Sequence, residues 1–142
     1  MAEEHRNEPR DAGYSREHKD LFLEWTKKDS GSIFAGLTQA DLFFFAMAVG
    51  YNRSKKDDIK NKANDVSVSA LSEAQKWGIL STAISQSNDL LVLKDEKPIY
   101  SEAERYAEEG IKIIKSHMEK HGLNYPKYLE AELKEILGKE HS

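Results

Sequence analysis

The feature that most constrains the fold is an apolar run of eight residues, "LFFFAMAV" at positions 42–49, which carries three consecutive phenylalanines. A helix that crosses a bilayer needs about 20 apolar residues, whereas this run lies between Asp41 and, beyond Gly50, Arg53. Its length therefore excludes a membrane span. Because a helix that is apolar on every side is normally buried, the run predicts the central helix of a protein core.

Length and composition indicate one folded domain. The chain has 142 residues, of which 39% are hydrophobic and 32% charged, enough for a core without metals or crosslinks. It contains no cysteine, which excludes disulfides and cysteine metal ligands and fits a cytoplasmic protein. The first twenty residues lack the apolar stretch of a secretory signal. Residues 1–14 are charged, without periodicity, and predict a disordered tail; residues 15–142 predict a single helical domain.

Helix start signals recur along the chain. Three pairs of residues have the spacing of a capping box, in which two side chains satisfy free amides of the first helical turn. The pairs are Thr38 with Asp41, Ser72 with Gln75, and Ser101 with Glu104. Two further helices are predicted, one from Ser15 to about Lys28 and one over residues 124–137. The expected fold is mainly α, a compact bundle of about five helices.

Some short segments carry more specific predictions. Residues 90–100 favour either a small β-hairpin around Asp95 and Glu96 or extended connectors, and "VSVSA" at 66–70 favours a short extended piece. Gly50 is interpreted as the terminator of the phenylalanine-rich helix. Gly110 lies within the apolar stripe of a later helix and predicts close approach by another helix. Trp25 and Trp77 are predicted to pack inward.

The sequence offers no catalytic, metal or cofactor motif. No "GxSxG" occurs, and the glycine-containing segments lack the second glycine or the lysine of a phosphate-binding loop. His117 and His121 are four residues apart and could share a helix face, but no third ligand follows at a suitable spacing. The sequence therefore predicts a protein that is not an enzyme, with no cofactor and no metal.

The basic stretch after the phenylalanine-rich helix is the candidate binding site. Positions 51–65 hold five basic and three acidic residues, in a chain whose net charge is −4. The candidate residues are Tyr51, Asn52, Arg53, Lys55, Lys56, Lys60 and Lys62. They could supply phosphate contacts and one stacking aromatic ring to DNA. Alternatively, they are solvated cations that offset the negative end of a helix dipole and are partly neutralised by Asp57 and Asp58.

The order of these features resembles a known family. "DLFFFAMAVGYNRSKK", a polar loop, "ILSTAISQSNDLLVL" and then "AERYAEEGIKII" are similar to the small accessory proteins found with Dnd-type DNA phosphorothioation and restriction systems. The resemblance covers roughly residues 38–114; the charged N-terminus and the "YPKYLEAELKEIL" segment depart from the pattern. The resemblance implies that the protein works in prokaryotic defence against foreign DNA. It identifies no catalytic residues in this chain.

Two functions are expected from these observations. The first is a non-catalytic accessory protein of a DNA-modification or restriction system, which acts through contacts with a protein partner of that complex. The alternative is a small DNA-binding regulator that uses the basic loop at 51–62. Neither expectation involves a membrane.

Overall fold

Four helices and two strands make up the part of the chain that the computed structural model describes, residues 8–29, 31–121, 127 and 131. In chain order they are β1 (Asp11–Ser15), α1 (Lys19–Thr26), α2 (Gln39–Asn52), β2 (Lys62–Ser67), α3 (Glu73–Ser87) and α4 (Lys97–His121). The prediction of a mainly α fold with a small β element is confirmed. The fifth predicted helix, over residues 124–137, lies almost wholly outside the described residues.

The phenylalanine-rich segment is the buried helix α2, as predicted. The Thr38 hydroxyl accepts a hydrogen bond from the Asp41 backbone N–H at 3.0 Å, and the Asp41 carboxylate accepts one from the Thr38 N–H at 3.1 Å. Phe43 is fully buried, while Phe44 and Phe45 are half-buried against the core. No helix within the described residues is both long and apolar enough to cross a bilayer. Burial inside the domain therefore accounts for the apolar run.

Helices α2 and α4 form the centre of the core and touch backbone to backbone. A Cβ atom at Gly110 would overlap the carbonyl oxygen of Ala46, and one at Gly50 would overlap the carbonyl oxygen of Tyr106. The predicted close approach at Gly110 is therefore confirmed. The interpretation of Gly50 as a helix terminator is wrong, because α2 continues to Asn52 and needs glycine there to let α4 approach.

The two strands form an antiparallel sheet that the sequence did not predict. Strand β1 pairs with β2, with Ala12 opposite Val66 and Tyr14 opposite Ala63. The assignment of residues 1–14 to a disordered tail is thus wrong for residues 11–14, since Ala12 and Tyr14 are buried. Residues 90–100 form neither of the two predicted alternatives, a hairpin or extended connectors: Leu90–Lys94 form a 3-10 turn, and α4 begins at Lys97.

Helix α3 begins where it was predicted, but its tryptophan does not point inward. Ser72 and Gln75 form the expected capping box, and Leu80 is buried, whereas Trp77 is 53% exposed. The predicted start of α4 at Ser101 is late by a turn. The helix begins at Lys97, whose backbone N–H donates to the Asp95 carboxylate at 3.1 Å.

Candidate functional site

The basic loop after α2 lies against α4 and is fixed there by backbone contacts. The Asp57 N–H donates to the Arg105 carbonyl at 3.1 Å. At the other end of the loop, the Lys60 N–H donates to the Ser15 hydroxyl at 3.1 Å. The Arg16 N–H donates to the Asn61 carbonyl at 3.0 Å. The loop is therefore held between α4 and the end of β1.

Two of the predicted DNA-contacting lysines are paired with carboxylates of α4. Lys56 forms an ion pair with Glu102, and its Nζ lies 5.5 Å from the centre of the Tyr106 ring. The Lys62 Nζ lies 3.1 Å from a carboxylate oxygen of Glu104. The positive charge of these side chains is thus largely balanced within the protein.

The aromatic ring proposed as a base-stacking platform already has a partner. Tyr51 meets Tyr106 edge to face, with 5.4 Å between the ring centres, and is only half-exposed. Asn52 is the exposed last residue of α2, and Arg53, half-exposed, caps that helix. Lys55 and Lys60 are exposed and, among the described residues, form no side-chain ion pair. They are the lysines of this loop best placed to meet an anionic ligand.

The acidic residues on the inner face of α4 have structural partners. The Gly13 N–H donates to the Glu104 carboxylate at 2.8 Å, joining β1 to α4. Burial raises the pKa of Glu104, although its contacts with Lys62 and Gly13 offset part of the effect. Glu102 is more exposed, and its hydrogen bond from Lys56 outweighs burial and lowers its pKa. The contacts of these carboxylates within the domain therefore account for their positions on α4.

A groove lies on another part of the surface, where α3, the 3-10 turn Leu90–Lys94 and the start of α4 meet. Its volume is about 640 Å³. Apolar side chains form much of its wall, and Lys94, Asp95 and Glu102 supply charge around it. The apolar lining residues are Ala83, Leu91, Val92, Pro98 and Ile99.

The turn beside this groove exposes two adjacent leucines. Leu90 is 68% and Leu91 62% exposed, the largest exposures among the large hydrophobic side chains of the described residues. Single exposed leucines are common on protein surfaces, whereas adjoining ones next to an apolar groove are typical of interaction sites. We define the leucine groove as Leu90, Leu91 and the groove-lining residues named above. No sequence motif indicated this groove, because the sequence favoured a hairpin or extended connectors at this position.

The histidines singled out in the sequence do not assemble a metal site with other described residues. His117 and His121 lie on the last turns of α4 with 6.3 Å between their ring centres. A different set of side chains does converge, namely Glu17, His18 and Glu108, whose ligand atoms lie within 4.8 Å of one another. Sequence spacing gave no sign of it, since Glu108 is 90 residues from His18.

The architecture defines a small, mainly helical protein with an apolar groove and a basic loop whose charge is balanced in part. A model of the family described as DNA sulphur modification system-associated protein 4 matches residues 14–141. The chain therefore belongs to this family. The match confirms the resemblance and extends beyond residues 38–114. It includes the "YPKYLEAELKEIL" segment that was taken as a departure, whereas residues 1–13 of the charged N-terminus lie outside it. No curated protein and no solved structure is significantly similar to the chain.

Proposed function

We propose that the protein is a non-catalytic accessory component of a DNA sulphur modification system, and that it acts in the cytoplasm by binding a protein subunit of that system through the leucine groove. Membership of the family supports the association with a DNA sulphur modification system. The observation that carries the proposal is the exposure of Leu90 and Leu91 beside an apolar groove.

The chemistry of the groove favours a protein ligand. Interfaces between proteins place apolar side chains at their centre and polar ones at the rim, and the leucine groove has this arrangement. Lys94, Asp95 and Glu102 bring charges of both signs to its edge, which suits a mixed-charge protein surface better than a polyanion. An amphipathic helix that inserts apolar residues into such a groove is a recurrent mode of recognition.

The direct test is a double substitution, Leu90→Ser with Leu91→Ser. We expect the wild type to co-purify from its native host with subunits of the DNA sulphur modification system, identified by mass spectrometry. The double variant should retain less than about a tenth of that association, because buried apolar anchors carry most interface energy. Its helix content, measured by circular dichroism, should be unchanged because both side chains face solvent.

Leu23→Ser is the matched control, since Leu23 is also an exposed leucine, at 44%, but lies on α1 and does not line the groove. It should co-purify like the wild type. Equal association of all three proteins would refute the leucine groove as the binding site, and a wild type that recovers no subunit of the system would refute the proposed function.

The exposed lysines of the basic loop support a second candidate, a DNA-binding regulator. Lys55 and Lys60 remain available for phosphate contacts, and each contact would release a counterion. For Lys55→Ala with Lys60→Ala, we expect the slope of log affinity against log salt concentration to fall by about 2, roughly one unit per phosphate contact. Fluorescence anisotropy with labelled duplex DNA measures this slope.

The control for charge alone is Lys27→Ala with Lys28→Ala, two exposed lysines at the end of α1. If both double variants shift the slope equally, the loop has no special role and only net charge matters. If the wild type shows no salt-dependent binding, the DNA-binding candidate is eliminated while the protein-binding proposal stands.

A further inference from the structure

Three potential metal ligands meet where the turn after β1 touches α4. The Nε2 atom of His18 lies 3.2 Å from a carboxylate oxygen of Glu108 and 3.8 Å from one of Glu17. Around a tetrahedral metal with bonds of about 2.1 Å, the donor atoms lie about 3.4 Å apart. The two separations from Nε2 are within about 0.4 Å of that value, and all three donor atoms lie within 4.8 Å of one another, so a metal ion would fit after side-chain adjustments.

We propose that Glu17, His18 and Glu108 form a binding site for a divalent transition-metal ion, with Zn²⁺ as the best match. One imidazole and two carboxylates are a ligand set that zinc accepts. Imidazole disfavours Mg²⁺ and Ca²⁺, which prefer oxygen ligands throughout. A cleft of about 360 Å³, lined in part by Glu17 and His18, gives an ion access and leaves room for a water molecule as a fourth ligand.

The burial of the site separates it from an ordinary surface ion pair. The side chains of His18 and Glu108 are 11% and 3% exposed. One oxygen of Glu108 accepts from His18, while the other, Oε1, is buried and makes no well-aligned hydrogen bond among the described residues, although the Ser15 hydroxyl also interacts with this carboxylate. A buried carboxylate oxygen without a well-aligned partner is costly, and a divalent cation bound to this carboxylate would compensate its buried charge.

Lys112 is the cation that competes for this carboxylate. Its Nζ lies 3.5 Å from Glu108, but it is closer to Asp57, at 3.1 Å, and to Glu109, at 3.2 Å. Lys112 therefore keeps two carboxylate partners if Glu108 turns toward a metal. The competing contact weakens the site without preventing it.

A metal here would join segments that are far apart in the chain. Glu17 and His18 lie in the 3-10 turn Arg16–His18 that follows β1, and Glu108 lies in the middle of α4. A ligand that binds only the native state raises the free energy of unfolding by RT ln(1 + L/Kd), where L is the free ligand concentration. The proposed role is thus to clamp the N-terminal strand to α4.

The test is Zn²⁺ binding by the chelator-treated full-length protein, followed by isothermal titration calorimetry and by the melting temperature. We expect saturable binding near one ion per chain, a higher Tm with Zn²⁺, and no comparable rise with Mg²⁺. Glu17→Ala should weaken Zn²⁺ binding by at least about tenfold, since loss even of an outer-shell partner costs 10–100-fold. Glu17 is exposed, so this variant should fold without metal as the wild type does.

Glu119→Ala is the control, because Glu119 is an exposed carboxylate that lines the same cleft outside the ligand set. It should bind Zn²⁺ like the wild type. The proposal is overturned if the wild type binds no Zn²⁺, or if Glu17→Ala and Glu119→Ala have the same affinity as the wild type. A Co²⁺-loaded wild type should show the visible absorption of a tetrahedral site, which Glu17→Ala should lose.

Discussion

Replacing Gly110 with alanine is expected to cost about 3 kcal/mol of folding free energy, the upper end of what overpacking usually costs. The added methyl group would overlap the carbonyl oxygen of Ala46. That oxygen belongs to the backbone of α2, so relief requires α2 and α4 to move apart along the centre of the core. Because a typical domain is stable by only about 5–15 kcal/mol, urea unfolding should show a much lower midpoint.

Gly78→Ala provides the comparison, since it makes the same chemical change on another helix. There the new Cβ would lie 2.9 Å from ring atoms of Phe44, a half-buried side chain that can rotate away. Alanine also improves helix propensity by about 1 kcal/mol over glycine. The net effect should stay within about 1 kcal/mol. Equal destabilisation by Gly78→Ala and Gly110→Ala would show that backbone contact between α2 and α4 is not the cause.

Truncating Phe43 to alanine should have an effect of similar or larger size. Its side chain is fully buried, and Phe→Ala changes in cores cost about 3–5 kcal/mol through lost burial and the cavity left behind. The measurement is again urea unfolding, with cavity formation checked by binding of a small apolar probe.

Phe44→Ala is the internal control for this prediction. Phe44 follows Phe43 in α2 but is only half-buried, so its truncation should cost about half as much. A loss at Phe44 equal to that at Phe43 would contradict the orientation of α2 in the core. The sequence alone gave no reason to expect different burial for the three phenylalanines, whereas the structure shows that they are buried to different degrees.

Features that depend on neighbouring residues were predictable from the sequence. The capping boxes at Thr38 and Ser72 use side chains three residues apart, so their spacing is visible in the sequence and the structure confirms both. The approach at Gly110 followed from its position in an apolar stripe.

Features that depend on distant residues were not predictable. Strand β1 is recognisable only beside β2, about 50 residues later, because its five residues carry no long alternation. The pairing of Lys56 and Lys62 with α4 likewise joins residues more than 40 positions apart. Local composition therefore suggested a free basic loop where the fold provides carboxylates.

The errors at Gly50 and Trp77 have one physical origin. Glycine ends many helices and tryptophan is usually buried, so both were assigned by residue type. At Gly50 the deciding factor was the approach of α4, which only a residue without a side chain permits. At Trp77 the deciding factor was which face of α3 meets the core. That face includes Ile79 and Leu80 and leaves Trp77 exposed.

The hydrogen bond from Gly13 to Glu104 spans 91 positions and sets an order of events during synthesis. Strand β1 leaves the ribosome about 90 residues before the α4 carboxylate that accepts its hydrogen bond. Contacts of such long sequence separation form slowly. Strand β1 can therefore pair with β2 first, whereas its bond to Glu104 forms only after α4 has emerged.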